Sequence, residues 1–259
     1  MPASAITLLT DFGTADGYVA EMKGVLHSLA PNSPLFDMSH DVPAHDIEHA
    51  RLTLARYWRR FPAGTVHIVV VDPGVGSARA AIAVESDGRF LVGPDNGVLS
   101  PSLFAPDARV IALPVDARAS TTFQGRDVFA PAAAQLARGA SLESLGEPHA
   151  NAERRRTPQP IRLDDGSVDG EVLTIDRFGN AMTNLLSRAF ASVAVNRQHV
   201  RVVRTYADAV PGELVALVGS GGFIELAVRD GSAAAEYGLV RGQRIGMILR
   251  REQGTDYHG

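Results

Sequence analysis

The chain has 259 residues, 45% hydrophobic and 21% charged, enough apolar material for one large globular domain or two small ones. A net charge of −4 lacks the basic footprint of a nucleic-acid binder, and the absence of cysteine removes disulfides, thiolate metal sites and a cysteine nucleophile. No uncharged apolar stretch nears the roughly 20 residues of a bilayer span, and Met1-Pro2-Ala3-Ser4-Ala5 has no signal-peptide character, so a cytoplasmic protein without membrane partners is expected.

Residues 6–10 form a short apolar run that ends in Asp11-Phe12-Gly13, as a buried strand entering a loop does. Residues 16–29 have helical spacing, with Val19, Met22, Val25, Leu26 and Leu29 on one face. A strand is predicted over 35–39, a helix over 45–58 and a β-branched buried strand over 65–71. Residues 80–84 and 89–92 flank Ser86-Asp87-Gly88 and predict a hairpin. A strand over 110–113 and a helix over 128–138 complete an alternation that predicts an α/β domain with a mainly parallel sheet over residues 1–152. Prolines and the run Arg154-Arg155-Arg156 then mark a linker over 153–167. Short glycine-broken strands over 171–175, 200–203, 214–218, 223–228 and 244–249 predict a small β-barrel domain over 168–259.

Ligands of open α/β sheets bind beyond the carboxyl ends of the strands. Polar loops fall there: 10–16 with Asp11 and Asp16, 72–79 with Asp72 and Arg79, and 94–97 with Asp95 and Asn96. A further loop at 122–127, with Phe123, Gln124 and Asp127, precedes the last helix. Any one aspartate reads equally as a turn former or helix cap; several at one sheet edge read as an acidic, arginine-containing cleft. Other signals carry less. Asp11-Phe12-Gly13 lacks the companions of a kinase metal triplet, the 72–77 loop lacks a P-loop lysine, and no Gly-x-Ser-x-Gly elbow is present. His40, His45 and His49 do not match known ligand spacings, so no metal is expected.

Taken together these blocks resemble a known family. Leu8 to Val19 with Met22-Lys23-Gly24, Val71 to Ser77, Gly93 to Leu99, Gly125 to Pro131, Ile175 to Asn180 with Thr183-Asn184, and Gly222 to Ala227 are similar, in order, to the S-adenosyl-L-methionine (SAM) hydroxide adenosyltransferases, or SAM hydrolases. These are relatives of the fluorinating and chlorinating SAM halogenases. The resemblance implies hydrolysis of SAM to adenosine and L-methionine without a cofactor. It also implies a homotrimer with active sites at subunit interfaces. Asp72 and Arg79 would act on the attacking water, with Gln124 where the family has histidine. Asp11 would take the ribose hydroxyls, Asp176 and Ser220 the methionine end, and Phe178, Asn180 and Tyr206 the adenine. Asp16 and Phe123 would also line the substrate.

Because a glutamine orients water but accepts no proton at neutral pH, Gln124 leaves open a SAM- or adenosine-binding protein with weakened catalysis. Gly125 stands where the fluorinating enzymes have serine and echoes the chlorinating branch, which leaves chlorination as a further alternative. An arginine partner works against proton uptake by Asp72, so orientation of the water is its larger expected role.

Overall fold

The computed structural model describes residues 4–186, 190–196 and 198–249, which divide into two compact units, 1–156 and 157–259. In the first unit, β1 (Ile6–Thr10) and β3 (Val66–Val70) are buried at every position. Such full burial, with only Thr7, Thr10 and His67 polar, is what a strand meets when helices cover both faces of its sheet. Strands β2 (Leu35–Ser39), β4 (Ala81–Ser86), β5 (Arg89–Pro94), β6 (Arg109–Leu113) and β7 (Glu147–Pro148) complete seven strands in the order β2-β1-β3-β5-β4-β6-β7.

The sheet is mixed, which corrects the mainly parallel expectation. Pairings β1–β2, β1–β3 and β3–β5 are parallel, but β4–β5, β4–β6 and β6–β7 are antiparallel. The cause is local. Asp87 and Gly88 both adopt positive φ, 51° and 67°, the geometry of a tight two-residue hairpin, and such a turn can join only antiparallel neighbours.

Helices α1 (Tyr18–Leu29) and, late in the unit, Ala130–Ala137 cover one face, over a core that includes Ile6, Leu8, Ile68, Val92 and Phe129. On the other face α2 (Ile47–Tyr57), capped by the Asp46 side chain on the His49 N–H, and the short α3 (Ser100–Leu103) pack near Leu9, Trp58, Val69 and Ile82. The Ala130–Ala137 helix is α4. Among the described residues no helix is long and apolar enough to cross a membrane.

His67 on β3 is fully buried between the Tyr57 and Phe61 rings, its Nδ1 hydrogen-bonded to Thr7 Oγ1 at 2.8 Å. Burial, helped by the charge of Arg89, pushes its pKa from the ordinary 6.5 down to about 4. The unfolded chain therefore binds a proton that the folded chain refuses as pH falls from 6.5 toward 4, and stability is lost across that window. Between pH 7 and pH 5 this one group is expected to remove about 2 kcal/mol. In urea titrations at both pH values, the His67→Phe variant should lose that much less than wild type.

The second unit carries β8 (Ile161–Arg162), β9 (Val168–Ile175), β10 (Ala181–Leu186), β11 (Phe190–Val195), β12 (Gln198–Val202), β13 (Leu214–Val218), β14 (Phe223–Val228) and β15 (Arg244–Leu249). Its order β10-β14-β13-β12-β11-β15-β9 closes through the β9–β10 pairing into a seven-stranded barrel, with β8 added to the outside of β9. Closure removes free sheet edges. Val172, Leu185, Val193, Ala216, Ile224 and Ile245 fill its interior. Helix α5 (Ala233–Tyr237) is capped by Ser232 and ended by Gly238 in the left-handed region.

Candidate active site

In the parallel part of the first sheet, Thr10 lies opposite Val70, and Ile68 opposite Val92. The loops that begin at Asp11, Asp72 and Asp95 therefore leave neighbouring strands, about 4.8 Å apart, at one edge. At that edge Arg79 donates from Nε to Asp72 Oδ1 at 3.1 Å and from Nη2 to Asp72 Oδ2, and Nη2 also donates to Gln124 Oε1. The two charged side chains are only 5% (Asp72) and 10% (Arg79) exposed, and Gln124 is buried. A buried ion pair holds only when geometry and extra hydrogen bonds replace lost water. Here the contact is two-pronged, and Arg79 Nη1 finds a further acceptor in the Ala80 carbonyl at 3.3 Å.

Close backbone approach brings these loops together. Gly76 has φ +77°, and a Cβ there would stand 2.7 Å from the Thr121 carbonyl oxygen, so the 72–79 loop lies directly on the 120–124 loop. The latter is fastened by Ser120 N–H donating to Asp127 Oδ2 at 2.8 Å. Asp127 also holds Arg126, which reaches Glu21 on α1. After Gln124 the chain makes one wide turn, Gly125–Phe129, closed by the Ala130 N–H on the Gly125 carbonyl. Such expanded turns recur at functional sites because they re-aim the residues beside them.

The Asp11 loop joins this group through its rings. Phe12, Tyr18 and Phe123 meet edge to face, with centroids 5.2, 5.8 and 6.1 Å apart. Gly125 sits under them, where a Cβ would lie 3.2 Å from Met22 Sδ and 3.3 Å from the Phe123 ring, tight quarters for any side chain. Asp11 accepts the His45 N–H at 2.8 Å through Oδ2 and keeps acceptor capacity on the carboxylate. Asp16 is exposed just before α1. In the sequence Phe12 and Tyr18 read as ordinary loop and helix residues, and only the fold brings their rings onto Phe123.

Other aspartates prove structural. Asp95 holds His149 Nε2 at 2.9 Å and the Glu153 N–H at 2.7 Å, tying residues 149–153 to the sheet. Its neighbour Asn96 donates from Nδ2 to the Val71 carbonyl at 2.9 Å, gripping the peptide that leads into Asp72. Among the described residues no three metal-ligating side chains cluster.

In the second unit, the turn after β9 gathers a polar group. Asp176 Oδ1 accepts the N–H groups of Phe178 and Asn180, both at 2.9 Å, and Oδ2 accepts Asn180 Nδ2 at 3.0 Å. These bonds shape the turn that carries Phe178, whose ring is 75% exposed. Tyr206 donates its hydroxyl to Glu225 Oε2 at 3.0 Å. Burial, with the Glu225 and Asp176 carboxylates, pushes its phenol up to about 12, so it stays a protonated donor. Ser220 lies exposed in the β13–β14 turn. Glu225, not foreseen from the sequence, is the residue that fixes Tyr206.

Comparison with known proteins matches residues 6–146 to the SAM hydroxide adenosyltransferase N-terminal domain and residues 170–246 to its C-terminal domain. The chain is 40% identical over 255 residues to an (R)-S-adenosyl-L-methionine hydrolase of Salinispora tropica, covering 94% of this chain and 97% of that one. It is 41% identical over 256 residues to a protein of the same name from Thermus thermophilus, covering 94% and 99%. More distant relatives, at 26% identity, are named fluorinase. A crystal structure of an uncharacterized conserved protein from Thermotoga maritima superposes with a TM-score of 0.84 at 32% identity, covering 94% of this chain and 99% of that one. With both domain models matched in order, and relatives of this identity along nearly its whole length, the chain belongs to the SAM hydroxide adenosyltransferase family.

Proposed function

We propose that this protein hydrolyses SAM to adenosine and L-methionine, with Asp72, Arg79 and Gln124 around the attacking water. The observation that carries this reading is the buried Asp72–Arg79–Gln124 circuit at the edge where the Asp11 loop also begins. The water oxygen bonds to ribose C5′ while the C5′–S bond breaks, its electron pair goes to sulfur as the neutral thioether, and one proton leaves the water for solvent. Charge is lost as hydroxide character meets the sulfonium, so fixed dipoles in place of bulk water favour the reaction. Holding nucleophile, C5′ and sulfur in line supplies about 7–11 kcal/mol of the barrier. Arg79 stabilises negative charge growing on the water oxygen. Asp72, committed to Arg79 at both oxygens, acts chiefly by orientation, and Gln124 orients through its amide.

Asp11 takes the ribose hydroxyls in this reading, with Asp16 and Phe123 beside the substrate. Phe178, Asn180 and Tyr206 receive adenine, and Asp176 and Ser220 the methionine end. Family membership supports these assignments and a homotrimeric assembly, which sedimentation equilibrium tests. No cofactor is required by the chemistry, since the sulfonium is already an activated leaving group.

The test is chromatography of SAM incubated with the protein, with and without chloride. Equal amounts of adenosine and methionine, independent of chloride, are expected. Nucleoside binding without turnover would instead support a decayed enzyme, the alternative that Gln124 leaves open. A chlorinated nucleoside formed only with chloride would support halogenation.

A further inference from the structure

His40 does not belong to the reacting group, yet it is buried, 6% exposed, and both ring nitrogens are used. Nδ1 pairs with Thr10 Oγ1 at 2.8 Å and Nε2 with Asp37 Oδ1 at 3.0 Å, while Asp37 Oδ2 accepts Lys23 Nζ of α1 at 2.6 Å. The carboxylate can only accept, so Nε2–H donates to it. That leaves Nδ1 to share a hydrogen bond with the Thr10 hydroxyl. Thr10 Oγ1 in turn accepts the Phe12 N–H at 3.3 Å, and the His40 carbonyl accepts the Gly13 N–H at 2.8 Å. Thr10, Phe12 and Gly13 are the residues that bracket Asp11.

Superficially Thr10, His40 and Asp37 form a nucleophile, base and acid triad. Thr10 is fully buried, so no substrate reaches it. We propose instead that His40 is a positioning residue for Asp11, clamping the chain on both sides of that carboxylate so that it meets the ribose hydroxyls without searching other orientations. This rests on the reading of Asp11 as the ribose carboxylate. The relay to Asp37 and Lys23 locks the imidazole tautomer, and a group whose rotamer is fixed by such partners loses less freedom on binding.

The test compares adenosine with 2′,3′-dideoxyadenosine by titration calorimetry on the full-length protein. His40→Gln keeps a donor for Asp37 but gives up Thr10, whereas His40→Asn keeps an acceptor near the Nδ1 position. His40→Gln is expected to weaken adenosine about 10-fold, the scale of one hydrogen bond, and to leave dideoxyadenosine unchanged. His40→Asn should restore most of the adenosine affinity. If both nucleosides weaken equally, or neither weakens, the positioning role is wrong. If His40→Gln does not fold, Thr10→Val breaks the same link and carries the same expectation. Asp11→Asn separates the two claims: if it spares adenosine, the ribose reading itself fails; if it weakens adenosine selectively while His40→Gln does not, only the positioning proposal fails.

Discussion

Replacing Asp72 with asparagine is expected to lower kcat for SAM hydrolysis by about 10²–10³-fold while leaving KM within a few-fold, the usual cost of losing one preorganised electrostatic contact. Asparagine keeps the size of the side chain and one acceptor oxygen for Arg79. It removes the charge that holds the guanidinium toward Gln124. The alanine variant is less informative, because it strands a buried arginine, and breaking a buried pair costs about 3–5 kcal/mol of stability. Steady-state kinetics with thermal melts on both variants separate the two effects. An asparagine variant with wild-type kcat would remove Asp72 from the chemistry.

The second large effect is expected at a residue with no side chain of its own, at Gly76→Ala. The φ of +77° is strained for alanine, and the new methyl would need to occupy space 2.7 Å from the Thr121 carbonyl. A residue forced into such backbone costs about 1–3 kcal/mol. Relief comes by moving the 72–79 loop away from the 120–124 loop, which separates Arg79 from Gln124. Displacements near 1 Å lower rates by about 10²-fold when catalysis depends on alignment. The variant should therefore fold with a lower Tm and lose kcat to that extent. A folded variant with full activity would show that the loop contact does not set the geometry of the site.

Much of this was legible in the chain itself. Strands such as β1, β3, β13 and β14 announce themselves because their apolar runs are short and bounded by glycine or aspartate. Strand β10 does not, because Thr183 and Asn184 are polar yet buried: Thr183 Oγ1 donates to the Ile224 carbonyl at 2.8 Å, and Asn184 bonds Glu171 N–H and the Pro158 carbonyl. No periodicity reveals a polar residue whose partner lies far along the sequence. The alternation of strands and helices points to a mainly parallel sheet, and one two-residue hairpin turn is a small signal against it although it reverses the pairing of half the sheet.

The same limit governs the site. Asp72, Arg79 and Gln124 could be named from motifs, but that Arg79 bridges the other two is a fact of folding across 45 residues. Asp95 and Asp127 sit in equally suggestive loops and serve the scaffold. His40 fits no ligand spacing in the sequence and carries no role there; its Thr10 partner, 30 residues away, gives it one. Residue type states what chemistry is possible, and long-range contacts decide which of it is used.

The attack of solvent oxygen on the sugar carbon can be followed atom by atom, by turning SAM over in water enriched in oxygen-18 and weighing the products in a mass spectrometer. The account predicts one heavy oxygen in adenosine, at the 5′ position, and none in methionine. Unlabelled adenosine, or cleavage at another bond of the sulfonium, would contradict it.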